Sequence, residues 1–313
     1  MSKRLMHVLV VLALVAVAAL MPATVASASS SFLYKSTVAL AKVGNLPSVG
    51  FEATAIDELG NQITLDHAGK VGLVVVTMSS WACESGTWHS GDCVTTPGHK
   101  FTWPITFSIY NAASGTPPVA GSLIARITKA FAIPYRPSAN TTHCTGADAG
   151  KWWDAALQKC FSGKSANISF AFNGKSLPKN VVFGVSYNTT HYGYSPIGQG
   201  AACFATTQGC FYDSLNVGVT QDPTDVTAGS DPGPTGTLFV HSNQSSGYCD
   251  NGLAGLGLFR EDSPTSGCWS VGAVAGTSPY YIPAVQLQSK DCNQDESESS
   301  GRGADCEVAE SQS

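Results

Sequence analysis

The chain has 313 residues, with 17 basic and 22 acidic side chains, a net charge of −5 and only 12% charged residues. That balance excludes a basic nucleic-acid-binding stripe and a polybasic membrane patch. Residues 290–313 carry seven acids against Lys290 and Arg302, enough to account for the whole net charge, and read as a solvated, disordered acidic tail.

Lys3 and Arg4 precede an apolar run of 13 residues from Val8 to Leu20, followed by Pro22 and the small-residue site Ala26-Ser27-Ala28. This pattern predicts a secretory signal peptide over 1–28. The run is shorter than the roughly 20 residues needed to span a bilayer, and no later run is longer, so no membrane span is expected in the mature protein. Residues 29–289 are expected to form one elaborated domain, with two smaller sandwiches as the alternative.

All ten cysteines lie beyond residue 28: Cys83, Cys93, Cys144, Cys160, Cys203, Cys210, Cys249, Cys268, Cys292 and Cys306. An even count in an exported chain predicts a disulfide framework. Sequence leaves the connectivity open. Pairing neighbours in order closes five short loops, worth about 2.5 to 3 kcal/mol each on loop-closure entropy.

Taken in order, Thr37–Val43 and Val49–Ile56 predict two strands, Glu58-Leu59-Gly60-Asn61 a turn, and Gln62–Leu65 a third strand. Val71–Ser80 is a nearly continuous apolar run, as expected of a central strand buried on both faces. Phe101, Trp103, Ile105, Phe107 and Ile109 alternate with polar or small neighbours, and Leu123–Ile133 alternates too, predicting a long-looped hairpin. Pro104 removes a ladder donor and points to an edge or bulge there. Residues 138–164 are irregular, with a helical turn at 151–158. Alternation returns at Ile168–Phe172, Val181–Tyr187 and Leu215–Val219, with shorter strands at Thr237–His241 and Tyr280–Gln288. Nine to eleven strands with almost no helix predict an all-β fold: a two-sheet antiparallel sandwich, jelly-roll-like, with disulfide-stapled loops.

The segments FTWPITFSIY (101–110), IPYRPSA (133–139), VFGVSYNTTHYGYSPIG (182–198), YDSLNVGV (212–219) and IPAVQL (282–287) resemble a group of uncharacterised secreted bacterial proteins. The resemblance covers most of residues 45–288. It implies an extracellular β-sandwich and brings no activity or catalytic residue with it.

No G-x-S-x-G elbow, H-E-x-x-H helix or P-loop occurs, and Gly252–Gly257 lacks the spacing of a phosphate cradle. The clearest strands contain no carboxylate, whereas a glycosidase needs two at fixed separation. Catalysis is therefore the less favoured reading, and a polymer hydrolase stands as the alternative. A purely structural or adhesive surface protein is a third. His89, Asp92 and His99 lie around the first cysteine loop, without recognised metal-ligand spacing. Calcium is the one cofactor suggested, because Asp222, Asp225 and Asp231 share a loop and hard oxygen ligands suit that ion. Turn-forming aspartates explain the same pattern.

The strongest lead is the set of loop-borne aromatics: Trp88, Trp152, Trp153, Tyr192, Tyr194 and Trp269. Planar rings on rigid loops suit the apolar faces of sugars, so a glycan or cell-envelope polymer is the expected partner. The competing explanation is that these rings seal the ends of the sandwich over the disulfides.

Overall fold

The computed structural model describes residues 32–88, 90–193, 210–233, 237–262 and 281–290, all within one compact unit that begins at Ser31. In chain order the strands are β1 (Phe32–Lys35), β2 (Ser48–Gly50), β3 (Glu58–Thr64), β4 (Gly69–Ser80), β5 (Lys100–Asn111), β6 (Leu123–Pro134), β7 (Trp152–Asp154), β8 (Lys159–Phe161), β9 (Lys164–Leu177), β10 (Asn180–Tyr187), β11 (Leu215–Thr220), β12 (Leu238–His241), β13 (Arg260–Asp262), β14 (Ile282–Pro283) and β15 (Val285–Ser289). The first sheet runs β1-β15-β4-β11-β14, with β9 beside β4 and β2 beside β11. The second runs β13-β12-β3-β10-β5-β6.

Every pairing is antiparallel. The chain crosses repeatedly between the sheets, from β2 to β3 to β4 to β5 and again from β9 to β10 to β11 to β12. This alternation gives the sandwich its jelly-roll-like character. The expected fold class is therefore the observed one.

One core lies between the sheets. Val71, Val74, Val76 and Met78 of β4 meet Ile105, Phe107 and Ile109 of β5 and Val181, Phe183 and Val185 of β10, all in one buried cluster. Phe107 stacks on Phe183 with ring centroids 5.7 Å apart and meets Phe172 edge-on at 5.9 Å. The period-2 alternation of these strands puts such rings on one face, and burying each contributes roughly 1.5–3 kcal/mol. β4 is central, paired with β9 along its length and with β15 and β11 end to end on its other side. Its second face is also covered: Thr77 Oγ1 donates to Asn167 Oδ1 at 2.8 Å and Ser79 Oγ to Asn45 Oδ1 at 2.6 Å.

The β5–β6 hairpin forms as expected, with Phe101 opposite Ile133 and Phe107 opposite Ile127. Its register shift falls at Ile109/Tyr110 and not at Pro104. β5 is an interior strand, but its ladder with β10 ends at Ile105. Pro104 therefore sits one residue past the last pair, where only β6 runs alongside.

Four local expectations are corrected. Thr37–Val43 is not a strand: Leu40–Lys42 is a single 3-10 turn, and Gly44 follows at φ 55°. The first strand, β1, lies earlier. The strand expected over Val49–Ile56 stops at Gly50, where the helical turn α1 (Phe51–Thr54) begins. Phe51 is drawn inward to stack on Tyr187 at 4.1 Å, and Ala55 closes the turn in the left-handed region at φ 55°. Residues 151–158 form the β7–β8 hairpin in place of a helical turn, with Trp153 opposite Cys160.

The fourth correction concerns Glu58–Asn61, which is strand and not turn. Its polar side chains are buried with partners, so they do not break the ladder. Glu58 lies over Gly184, where any Cβ would meet its carboxylate at 2.1 Å. It accepts from Tyr110 Oη at 3.0 and 3.1 Å, and Arg126 donates in turn to that hydroxyl at 3.0 Å. Burial pushes the Glu58 carboxyl up to about 7. Asn61 donates to Asp231 at 2.8 Å, and burial pushes the Asp231 carboxyl up to about 6.

Candidate functional site

The stapled loops sit where β4 and β6 end. Cys83 is bonded to Cys93 and Cys144 to Cys160, two of the expected pairs. Cys210 and Cys249 are also in disulfides. Their expected partners Cys203 and Cys268, and the Cys292–Cys306 pair, lie outside the described residues.

Arg136, from IPYRPSA, joins the two stapled loops. It is fully buried and donates to the carbonyl of Trp88 at 3.1 Å in one loop and that of Gly150 at 2.6 Å in the other. Burial lowers its pKa to about 10, so it stays protonated at neutral pH. A planar fork of fixed donors suits two carbonyls held apart in this way.

Beside the first loop is an open cleft of about 320 Å³, bordered by β2, α1, the end of β4 and the start of β11. Trp81, Trp88 and Tyr281 supply its aromatic surface, and Asp213, Asn216 and Ser48 its polar groups. Trp81 follows directly on β4 and is fixed by its backbone N–H to the Ser214 carbonyl at 3.0 Å and its indole N–H to Ser79 Oγ at 3.1 Å. Trp88 stands edge-on to it, centroids 4.7 Å apart and planes at 77°. Trp88 is 39% exposed. Asn216 donates to Ser48 Oγ at 3.0 Å, tying β11 to β2 under the cleft.

Asp213 lines the cleft at the end of a 3-10 turn that leads into β11. Its Oδ1 accepts from the Thr190 backbone N–H at 2.8 Å and its Oδ2 from the Thr190 hydroxyl at 2.5 Å. Burial raises its pKa above the ordinary carboxylate value, against the lowering effect of those bonds. Glu52 of α1 is close enough to act on it electrostatically. Glu52 in turn accepts from Thr189 Oγ1 at 2.7 Å and contacts His191 Nδ1 at 2.5 Å.

The expected binding residues separate. Trp88 lines the cleft. Trp152 does not: it is 4% exposed, its indole donates to the Gly163 carbonyl at 2.6 Å, and Lys164 lies 5.1 Å over its ring. It seals the second loop and offers no face to a ligand, which corrects its place in the binding set. Trp153 is half-buried and stacks on His143 at 4.6 Å, outside the cleft lining. Tyr192 is half-buried, its carbonyl taken by Thr189, and it too is absent from the lining. Tyr194, Trp269 and His89 lie outside the described residues.

The three aspartates expected to hold calcium are not brought together. Among the described residues no three His, Cys, Asp or Glu side chains converge on a metal position. Asp222 caps a 3-10 turn by accepting from Thr224 N at 2.9 Å, Asp225 takes the Thr220 hydroxyl, and Asp231 faces Asn61 of β3. Around the first loop, Asp92 accepts from Thr87 N at 2.9 Å, while His99 pairs with Glu84 at 2.7 Å.

Sequence reasoning passed over Trp81, Tyr281, Asp213 and Asn216. The available signal was position: each stands at or beside the end of a strand entering the same rim. Only the topology shows that those ends coincide. Comparison with known protein families, curated proteins and solved structures finds no match for this chain.

Proposed function

We propose that the protein is a secreted, non-catalytic module that binds a carbohydrate or cell-envelope polymer in the Trp81–Trp88–Tyr281 cleft. The observation that carries this reading is the lining itself: Trp81 and Trp88, with the largely buried Tyr281, and hydrogen-bonding groups of Asp213, Asn216, Ser48 and Thr54 around one open cleft. Ring faces match the apolar faces of sugars, and a few placed polar groups fix orientation. Export, with residues 1–28 removed, belongs to the same proposal. The disulfides fit an oxidising compartment, and no helix of the described residues is long and apolar enough to cross a membrane.

One observation favours the hydrolase alternative. Asp213, with its raised pKa, stands beside Glu52, and a pair of carboxylates is what glycoside hydrolysis requires. Against it, Asp213 and Glu52 each hold threonine hydroxyls and act as local braces.

The deciding experiment incubates the oxidised protein with a panel of insoluble and soluble polysaccharides, scoring retention and release of reducing ends. The proposal predicts retention without products, lost in Trp88→Ala. Released products would replace the module with an enzyme. No retention on any polymer would leave the structural or adhesive reading.

A further inference from the structure

Resting on the carbohydrate reading of the cleft, we infer that its ligand is a sugar polymer bearing free ammonium groups, of the 2-amino-2-deoxyhexose class, with Asp213 as the counter-charge. Two observations on the same surface point this way. Asp213 is the one ionisable carboxylate among the lining residues, and no Lys, Arg or His lines the cleft among the described residues. Glu52 lies outside the lining and is paired with His191 at 2.5 Å. Trp81 and Trp88 both line the cleft in edge-to-face contact, so a cation seated there has an aromatic ring as neighbour. A cation over an aromatic face is attracted to it, more strongly once both are desolvated.

Desolvation decides between a neutral and a cationic sugar. A neutral ring laid over Asp213 would strip water from the carboxylate and return hydroxyl hydrogen bonds, but would leave its charge without a counter-charge, which is costly. An ammonium group returns a hydrogen bond and the opposite charge together. The Thr190 contacts take one bond on each carboxylate oxygen, and a carboxylate has about four acceptor positions, so the geometry leaves room for that donor. A uronic acid would meet like charge from Asp213.

The test is calorimetric titration at about pH 6, where sugar amines are protonated. Three β-1,4 oligomers of equal length are compared: glucosamine, N-acetylglucosamine and glucose. The glucosamine oligomer is expected to bind about tenfold tighter than the other two, the margin of one ammonium–carboxylate attraction over a neutral donor. Asp213→Asn, which keeps an oxygen and a nitrogen for Thr190, should bring the three affinities together. Trp88→Ala, which keeps the backbone carbonyl that Arg136 holds, should weaken the glucosamine oligomer at least tenfold. Equal affinity of the wild-type protein for all three oligomers overturns the ammonium inference while the carbohydrate reading stands. Binding of none overturns the ammonium inference, and the carbohydrate reading falls with it only if no polymer of the panel is retained. Undiminished glucosamine binding in both variants, or equal competition by poly-lysine, reduces the effect to general charge attraction and also overturns the inference.

Discussion

The two stapled loops are built alike and used differently. Each is closed by a disulfide, each carries tryptophan, and both hang on Arg136. The first holds Trp88 at the rim of a cleft, edge-on to Trp81. The second folds into the β7–β8 hairpin and turns Trp152 inward, where its indole N–H is satisfied by Gly163. A tryptophan beside a cysteine therefore says that a loop is braced. Whether the ring faces solvent depends on what the loop packs against.

This contrast is most sharply broken by paired alanine substitutions. Trp152→Ala removes a buried aromatic and should cost about 3–5 kcal/mol, read as a lowered urea midpoint, with polymer retention kept wherever the protein stays folded. Trp88→Ala should do the reverse: less than about 1 kcal/mol of stability, with retention lost. If both variants lose stability alike, the difference between the loops is not real.

A somewhat smaller effect separates the β framework from both loops. Glu58 titrates at about 7 when folded against an ordinary 4.5, and Asp231 at about 6 against 3.8, each because burial disfavours the charged form. His241 is also raised, chiefly by its hydrogen bond to Asp57. In all three the folded state holds the proton more tightly. Their contribution is complete below the unfolded pKa and is lost as pH rises through the folded one. Carboxylates held low, such as Glu84 and Asp222, are ionised in both states above pH 5 and leave this window unchanged. Stability should therefore fall between pH 5 and 8, with Glu58 contributing up to about 3 kcal/mol. Glu58→Gln should flatten the urea-midpoint profile over that range. An unchanged slope would show that the Glu58–Tyr110–Arg126 network does not titrate as its burial implies.

How far the sequence could be read follows from the same physics. β4, β5, β6, β9 and β10 were legible because one face of each is apolar at period 2, or both faces are covered. β3 was not, since Glu58 and Asn61 look like turn residues until Tyr110 and Asp231 are brought opposite them by strands distant in sequence. The turn at Phe51 was hidden for a related reason: its partner, Tyr187, lies in β10. For the site, Trp88 was recognisable as a loop aromatic. Trp81, Tyr281 and Asp213 come from three separate stretches, each unremarkable alone, and meet only because β4, β11 and β14 are neighbours in one sheet.

The most direct test of the account uses the six tryptophans as reporters. Indole N–H resonances, assigned by single Trp→Phe variants, are followed as the glucosamine oligomer is titrated into the ¹⁵N-labelled oxidised protein. Saturable shifts are expected at Trp81 and Trp88, with Trp103 and Trp152 unmoved because both rings are buried, at 9% and 4% exposure. Saturable shifts centred on Trp153, with Trp81 and Trp88 still, would place the binding surface on the second loop and contradict it.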